Sequence, residues 1–222
     1  MYKPVSVLCL LLIVTAASAG RSITVSLGFP YYKDRSPQSI AEEISVNGFD
    51  DVRLISAGSS QIDDGLLKAF HSLGIRVWCA TFCNGFYPPA DLPKGWQSWQ
   101  MKMRHPAQPD GFIALCPNNP KYRAWKKTAV VTALKQHRFD GIDLMEPFLP
   151  AYAGPTNEHY GCLCDCCAAA FKAMYPEAAG IPDFENPESP HYWKTDKGLY
   201  RKWVDFRVST VVGFLDELIN GK

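Results

Sequence analysis

Arg76-Val-Trp-Cys-Ala-Thr-Phe-Cys83 is a nearly continuous apolar run with Gly74 just before it and Asn84-Gly85 just after. A strand with water on one side alternates apolar and polar residues. One that is apolar throughout is covered on both faces, as in a parallel sheet with helices against it. Ser22 to Pro30 reads as a first strand with Tyr31 and Tyr32 at its carboxyl end, and Asp51 to Ser56 as a second, shorter one. Between them Ile40, Ile44 and Val46 recur at near-helical spacing from Pro37 to Asn47, and Asn47-Gly48 makes a C-cap. Asp63 or Asp64 caps the next helix, whose apolar positions are Leu66, Leu67, Phe70 and Leu73 and which Gly74 ends. Strand, helix, strand, helix, strand predicts right-handed βαβ units.

Residues 84–115 break this rhythm with Gly, Pro and aromatics, including Phe86, Tyr87, Trp96 and Trp99. A loop of that length inside a compact domain is functional or is ordered by its own packing. Helical spacing returns from Pro120 to Gln136, with Trp125, Ala129, Val130, Ala133 and Leu134 on the apolar stripe. A fourth strand follows and ends at Glu146, where Pro147 stops it. The second excursion, 148–198, is rich in Pro, Tyr and Cys and holds a short helix from Cys167 to Met174, and Leu199 to Ile219 is a long amphipathic helix. The expected fold is α/β: about the first four βα units of a (β/α)8 barrel, in one domain over residues 20–222. Such a barrel has eight strands in about 250 residues, so four units supply about half of one.

The stretch His137-Arg-Phe-Asp-Gly-Ile-Asp-Leu-Met-Glu-Pro147 delivers acids to the carboxyl end of that fourth strand, the end where such barrels do chemistry. Glu146 is the candidate general acid/base, with a helix cap or a loop salt bridge as its alternative role. Asp143 is the second catalytic candidate. Side chains alternate across a strand, so 143 and 146 face opposite ways, and Asp143 suits a structural hydrogen bond. Tyr31, Tyr32, Asn84, Trp99 and Tyr152 are the candidate substrate-binding residues, and Tyr87, Trp96 and Tyr160 lie in loops on the same side. Aromatic rings and sugar faces are both amphipathic and stack on one another. Packing of the long loops is the other use for each ring.

Residues 1–19 carry a basic start at Lys3, an apolar core from Val5 to Val14 and the small-residue site Ala17-Ser-Ala19, the pattern of a secretory signal peptide. The apolar core is too short to span a bilayer; an uncleaved anchor or a buried first strand is the alternative. Its removal takes away Lys3 and no acid, leaving 22 basic against 22 acidic residues. A balanced charge offers no field for nucleic acid or an anionic membrane. The expected address is secreted or periplasmic. Cys9 leaves with the leader, so seven of the eight cysteines remain, an odd number for an oxidising compartment.

Cys162-Leu-Cys-Asp-Cys-Cys167 places Cys162, Cys164 and Cys167 within one tight turn and the first turn of a helix. Three thiolates so spaced converge on a structural zinc when a fourth arrives from elsewhere, and Cys116 is the candidate. Disulfides, one or two with a thiol left over, are the other reading in a secreted chain. Cys166 is surplus to the zinc set, and Cys79 and Cys83 suit buried apolar positions. No organic cofactor is expected.

Cys116-Pro-Asn-Asn-Pro-Lys-Tyr-Arg123, the strand ending Met145-Glu146, and Tyr160-Gly-Cys-Leu-Cys-Asp-Cys-Cys-Ala-Ala-Ala-Phe171 together resemble family 42 glycoside hydrolases, the β-galactosidase-like TIM barrels. Lys202-Trp-Val-Asp-Phe-Arg207 looks like the helix that follows in those barrels, so the likeness covers roughly 110–215. It implies Glu146 as acid/base and Cys116, Cys162, Cys164 and Cys167 as zinc ligands. Met145 stands where the family has Asn, so the contact to the sugar 2-hydroxyl differs or the relation is looser. Asp140-Gly-Ile-Asp-Leu144 also resembles family 10-like and α-amylase-like barrels, again with Met145 out of pattern.

The expected function is a secreted glycoside hydrolase-like protein that cleaves O-glycosidic bonds of an oligo- or polysaccharide by carboxylate acid/base catalysis, with the pKa of its acid raised. Retaining glycosidases use two carboxylates about 5–5.5 Å apart. The resemblance places the second on a seventh strand, so a chain of four strands is expected to be truncated or inactive. The rival expectations are a non-catalytic carbohydrate-binding or decayed enzyme, and a disulfide-stabilised secreted protein.

Overall fold

The computed structural model describes residues 20–56, 62–87, 92–105 and 111–220. The leader expected over residues 1–19 lies outside them. Among these residues six strands and five α-helices follow one another: β1 (Ser22–Val25), α1 (Pro37–Val46), β2 (Asp51–Ile55), α2 (Asp64–Ser72), β3 (Arg76–Phe82), β4 (Gly85–Phe86), β5 (Ile113–Ala114), α3 (Pro120–Gln136), β6 (Gly141–Met145), α4 (Asp165–Met174) and α5 (Lys197–Asn220).

Helix boundaries follow local chemistry. Asp63 accepts from the backbone N–H of Gly65 at 2.7 Å and of Leu66 at 3.3 Å, and Asn119 from Lys121 at 3.0 Å and Tyr122 at 3.2 Å. Each side chain satisfies donors that the first helical turn leaves unpaired. Pro120 sits at the start of α3, where its missing N–H costs nothing. The first strand is shorter than its sequence suggests: it stops at Val25, and Phe29 N–H closes a turn onto the Ser26 carbonyl at 3.0 Å. Leu27 and Phe29 are thereby left exposed.

The main sheet runs β1-β2-β3-β6, every pair parallel. Leu54 lies opposite Cys79, and Cys79 opposite Ile142. On one face Val25, Val52, Leu54 and Val77 are buried under Ile40 and Ile44 of α1 and Leu66 and Phe70 of α2. The other face carries Arg53, Trp78 and Asp143, because side chains alternate along each strand. There Asp143 accepts from Arg53 Nε at 2.8 Å, and Trp78 Nε1 donates to Asp51 at 3.1 Å.

The described residues of the 84–115 excursion pair with one another. β4 and β5 form a small antiparallel ladder, and Trp96–Trp99 form a 3-10 turn. Trp99 packs against Tyr122 and Trp125 of α3. The buried face of α3 differs from its apolar stripe: Tyr122, Lys126, Val130 and Ala133 are inside, while Leu134 is exposed. Lys126 is drawn in by Thr81 of β3, whose hydroxyl oxygen accepts from Nζ at 2.7 Å. The excursion over 148–198 wraps a second core in which Phe171 of α4, Trp203 and Phe206 of α5 and Tyr160 are all buried. Trp203 stacks on Phe206 at 5.3 Å and donates to the Tyr160 hydroxyl at 2.8 Å.

Candidate active site and metal centre

β6 ends one residue before Glu146, and the pairing runs on: Cys83 N–H donates to the Met145 carbonyl at 2.8 Å. Glu146 itself is exposed and has φ of 49°. That is the left-handed region, which costs a residue with a Cβ about 1 kcal/mol or more and recurs at functional sites. Phe148 N–H returns to the Glu146 carbonyl at 3.0 Å, so a tight turn holds the residue. The carboxylate therefore stands where the parallel sheet ends, at its carboxyl edge, while Asp143 lies within β6 and is tied to Arg53.

The other candidates divide by exposure. Tyr31, in the 3-10 turn after β1, is exposed and donates its hydroxyl to Glu43, with Tyr32 edge-on at 5.1 Å. Tyr152 is exposed, its ring 5.8 Å from Phe148. Asn84 is buried and donates to the Phe148 carbonyl, joining the turns after β3 and β6. Trp99 is only 6% exposed and its ring faces α3. Tyr160, grouped by sequence with the loop aromatics on the Glu146 side, is 2% exposed in the second core. A ring enclosed by protein offers no face to a sugar. Tyr31, Tyr32 and Tyr152 keep accessible ring surface.

Cys116, Cys162, Cys164 and Cys167 converge, with all four Sγ atoms within 4.8 Å of one another. Cys116 lies 3.5 Å from Cys167 and 3.4 Å from Cys164. A disulfide needs about 2.05 Å, and all seven cysteines of the described residues are free thiols. Zinc–sulfur bonds of about 2.3 Å in a tetrahedron put sulfurs about 3.8 Å apart, so the donor set fits a thiophilic divalent cation. The nest resists charging by itself. The thiols of Cys162, Cys164 and Cys167 bonded to Cys116, and then its burial, push its pKa far up. Cys164 is held far down because the three other sulfurs bond to it. Four thiolates packed this closely repel one another, and a cation among them offsets that repulsion.

Two residues that sequence reasoning passed over support this nest. Asn118 Nδ2 lies 3.3 Å from Cys167 Sγ and donates to Thr210 Oγ1 at 3.3 Å. Arg207, buried on α5, donates to the carbonyls of Leu149 at 2.8 Å, Pro150 at 2.9 Å, and Gly161. Burial lowers the Arg207 pKa, and Tyr160, then Cys167, oppose that. The one sequence signal for it was a charge set between Trp203 and Thr210 on the apolar face of a long helix.

A parallel sheet with helices on one face and an acid at its carboxyl edge is the arrangement of a partial (β/α)8 barrel. Solved structures share the fold. The β-galactosidase of Rahnella sp. R3 matches at 18% identity with a TM-score of 0.63, over 90% of this chain and 33% of its own. The polyextremophilic β-galactosidase of the Antarctic haloarchaeon Halorubrum lacusprofundi matches at 14% identity and 0.54, over 90% and 35%. The β-galactosidase of the psychrophilic Marinomonas ef1 matches at 14% and 0.54, over 91% and 36%. At these identities the likeness is one of fold, and this chain spans about a third of each protein. No protein-family model and no curated protein matches the sequence.

Proposed function

We propose that this chain is part of a glycoside hydrolase-like protein, related to the family 42 β-galactosidases, that cleaves O-glycosidic bonds of an oligo- or polysaccharide. The observation that carries the reading is Glu146, exposed at the carboxyl end of β6 in a left-handed turn, in a fold shared with three β-galactosidases. As general acid, Glu146 gives its proton to the glycosidic oxygen while the bond from that oxygen to the anomeric carbon breaks, and that carbon is taken by water, either directly or after a second carboxylate has held it. Because Glu146 is exposed, bound sugar has to supply the desolvation such an acid needs. Tyr31, Tyr32 and Tyr152 are the rings on which a sugar would lie. Asp143 acts on the architecture through Arg53.

Cys116, Cys162, Cys164 and Cys167 would hold a structural zinc, which supplies a cross-link between the turn before α3 and the start of α4. It takes no part in bond cleavage. The leader pattern supports a secreted or periplasmic address. The test is Glu146→Gln in the full-length protein. Turnover of glycosides with poor leaving groups falls by about 10²–10⁴-fold, while aryl glycosides with good leaving groups are largely spared. Unchanged rates on both would remove Glu146 from the mechanism.

A further inference from the structure

Arg207 is buried, and among the described residues no carboxylate pairs with it. A buried ion costs several kcal/mol unless charge or hydrogen bonds compensate it. Its guanidinium meets the carbonyl of Gly161, the residue before Cys162, and those of Leu149 and Pro150. Nearly one turn further along α5, Thr210 holds the side-chain amide of Asn118, whose other contact is Cys167 Sγ. α5 thus approaches the sulfur nest twice, with a cation bonded to the carbonyl of the residue before Cys162 and through Thr210, which holds the amide that donates to Cys167. Four thiolates around a divalent cation carry two net negative charges, and a dry interior tolerates these only where positive charge and N–H donors face them. Arg207 and Lys126 are the buried cations among the described residues, and Lys126 is bonded to Thr81 beneath the sheet.

We propose that Arg207 and Asn118 are positioning residues that set the metal affinity of the four-cysteine nest, Arg207 by balancing its charge and Asn118 by hydrogen-bonding one of its sulfurs. The proposal rests on the metal-binding reading above. It makes the nest selective for a dianionic tetrathiolate centre, as a divalent thiophilic cation forms.

The test uses the full-length protein stripped of metal, with zinc affinity measured against a chromophoric chelator. Cobalt(II) is the second probe, because its sulfur-to-metal charge-transfer absorption reports the electron density on the thiolates. Asn118→Ala weakens zinc binding about 10-fold and moves the charge-transfer band to lower energy, a shift that loss of packing alone does not produce. Arg207→Met weakens binding about 10- to 100-fold, and Arg207→Lys, which keeps the charge and loses the fork of donors, recovers most of it. Should Arg207→Met fail to fold, Asn118→Ala and Arg207→Lys decide the matter. Wild-type affinity in Asn118→Ala with an unmoved band, or an Arg207→Lys as weak as complete charge removal, overturns the proposal. A wild-type protein that binds neither zinc nor cobalt overturns the metal reading itself, a different result from tight wild-type binding that the variants leave unchanged.

Discussion

The ring of Trp78 occupies the space where a side chain at position 141 would begin: a Cβ on Gly141 would stand 2.5 Å from Trp78 Cζ3 and 2.6 Å from Cε3. These two residues are paired across β3 and β6, and Trp78 is fixed by its bond to Asp51. The strand that leads to Glu146 therefore begins with a glycine for a steric reason. Gly141→Ala lowers stability by about 1–3 kcal/mol, the usual cost of overpacking, as a shift in the urea midpoint. Adding Trp78→Ala opens the space, so the two losses are far from additive.

Lys126 makes stability depend on pH in a narrow alkaline window. Burial lowers its pKa from 10.5 to about 8, so between those values the unfolded chain binds more protons than the folded one, and stability rises with pH. The penalty present below pH 8 is on the order of 3 kcal/mol. Cys79 and Cys83 beside it are pushed up by burial to about 11 from 9, and these thiols reverse the slope above pH 9. Denaturation curves are expected to show stability rising between pH 8 and 9. Lys126→Met abolishes that rise and gains stability at pH 7.

Lys126 also marks where sequence legibility ends. The bounds of α3 were readable because helical spacing runs from Pro120 to Gln136, yet its inner face was not, since Thr81 is 45 residues away. β3 was legible from unbroken hydrophobicity, and the end of β6 from the proline at 147, to within one residue. The four cysteines were legible as a set, although Cys116 joins the others only through the fold. Loop aromatics carry no such signal. Trp99 and Tyr160 share the composition of Tyr31 and Tyr152, and only the packing of α3 and α5 separates buried rings from exposed ones.

Asn119 links that helix start to the turn of Trp96–Trp99: besides capping α3, its Nδ2 donates to the Ser98 carbonyl at 3.2 Å. Asn119→Ala loses about 1 kcal/mol for the cap and a further increment for the Ser98 contact. Asn119→Asp keeps the cap and loses that donor, so its loss is smaller. Thermal melts of the two variants rank them in that order.

The left-handed turn at Glu146 predicts an inversion of the usual ranking of Gly and Ala. Both substitutions remove the carboxylate and with it the proposed acid. At ordinary φ, Gly is the less stable of the two by about 0.5–1 kcal/mol, but at 49° Ala keeps the steric cost of a Cβ that Gly lacks. Glu146→Gly is therefore expected to unfold at higher urea than Glu146→Ala. The opposite order would mean that the backbone at 146 relaxes once the carboxylate is gone.

Metal removal should loosen one region and leave another in place. The cysteine nest ties the residue at 116 to those at 162–167 within the core of α4 and α5, whereas β1 to β3 pack with α1 and α2 in a core that contains none of the four sulfurs. Since a ligand bound only by the folded state stabilises it, stripping the proposed zinc from metal-loaded protein with a chelator is expected to lower the melting temperature and to expose Cys116, Cys162, Cys164 and Cys167 to thiol reagents. Cys79 and Cys83, buried under α3, stay slow to react. Hydrogen exchange should rise in α4 and in the 148–163 segment and hold steady in β2 and α2. Uniform deprotection across both cores would show that the protein unfolds as one unit and that the nest supports the whole sheet.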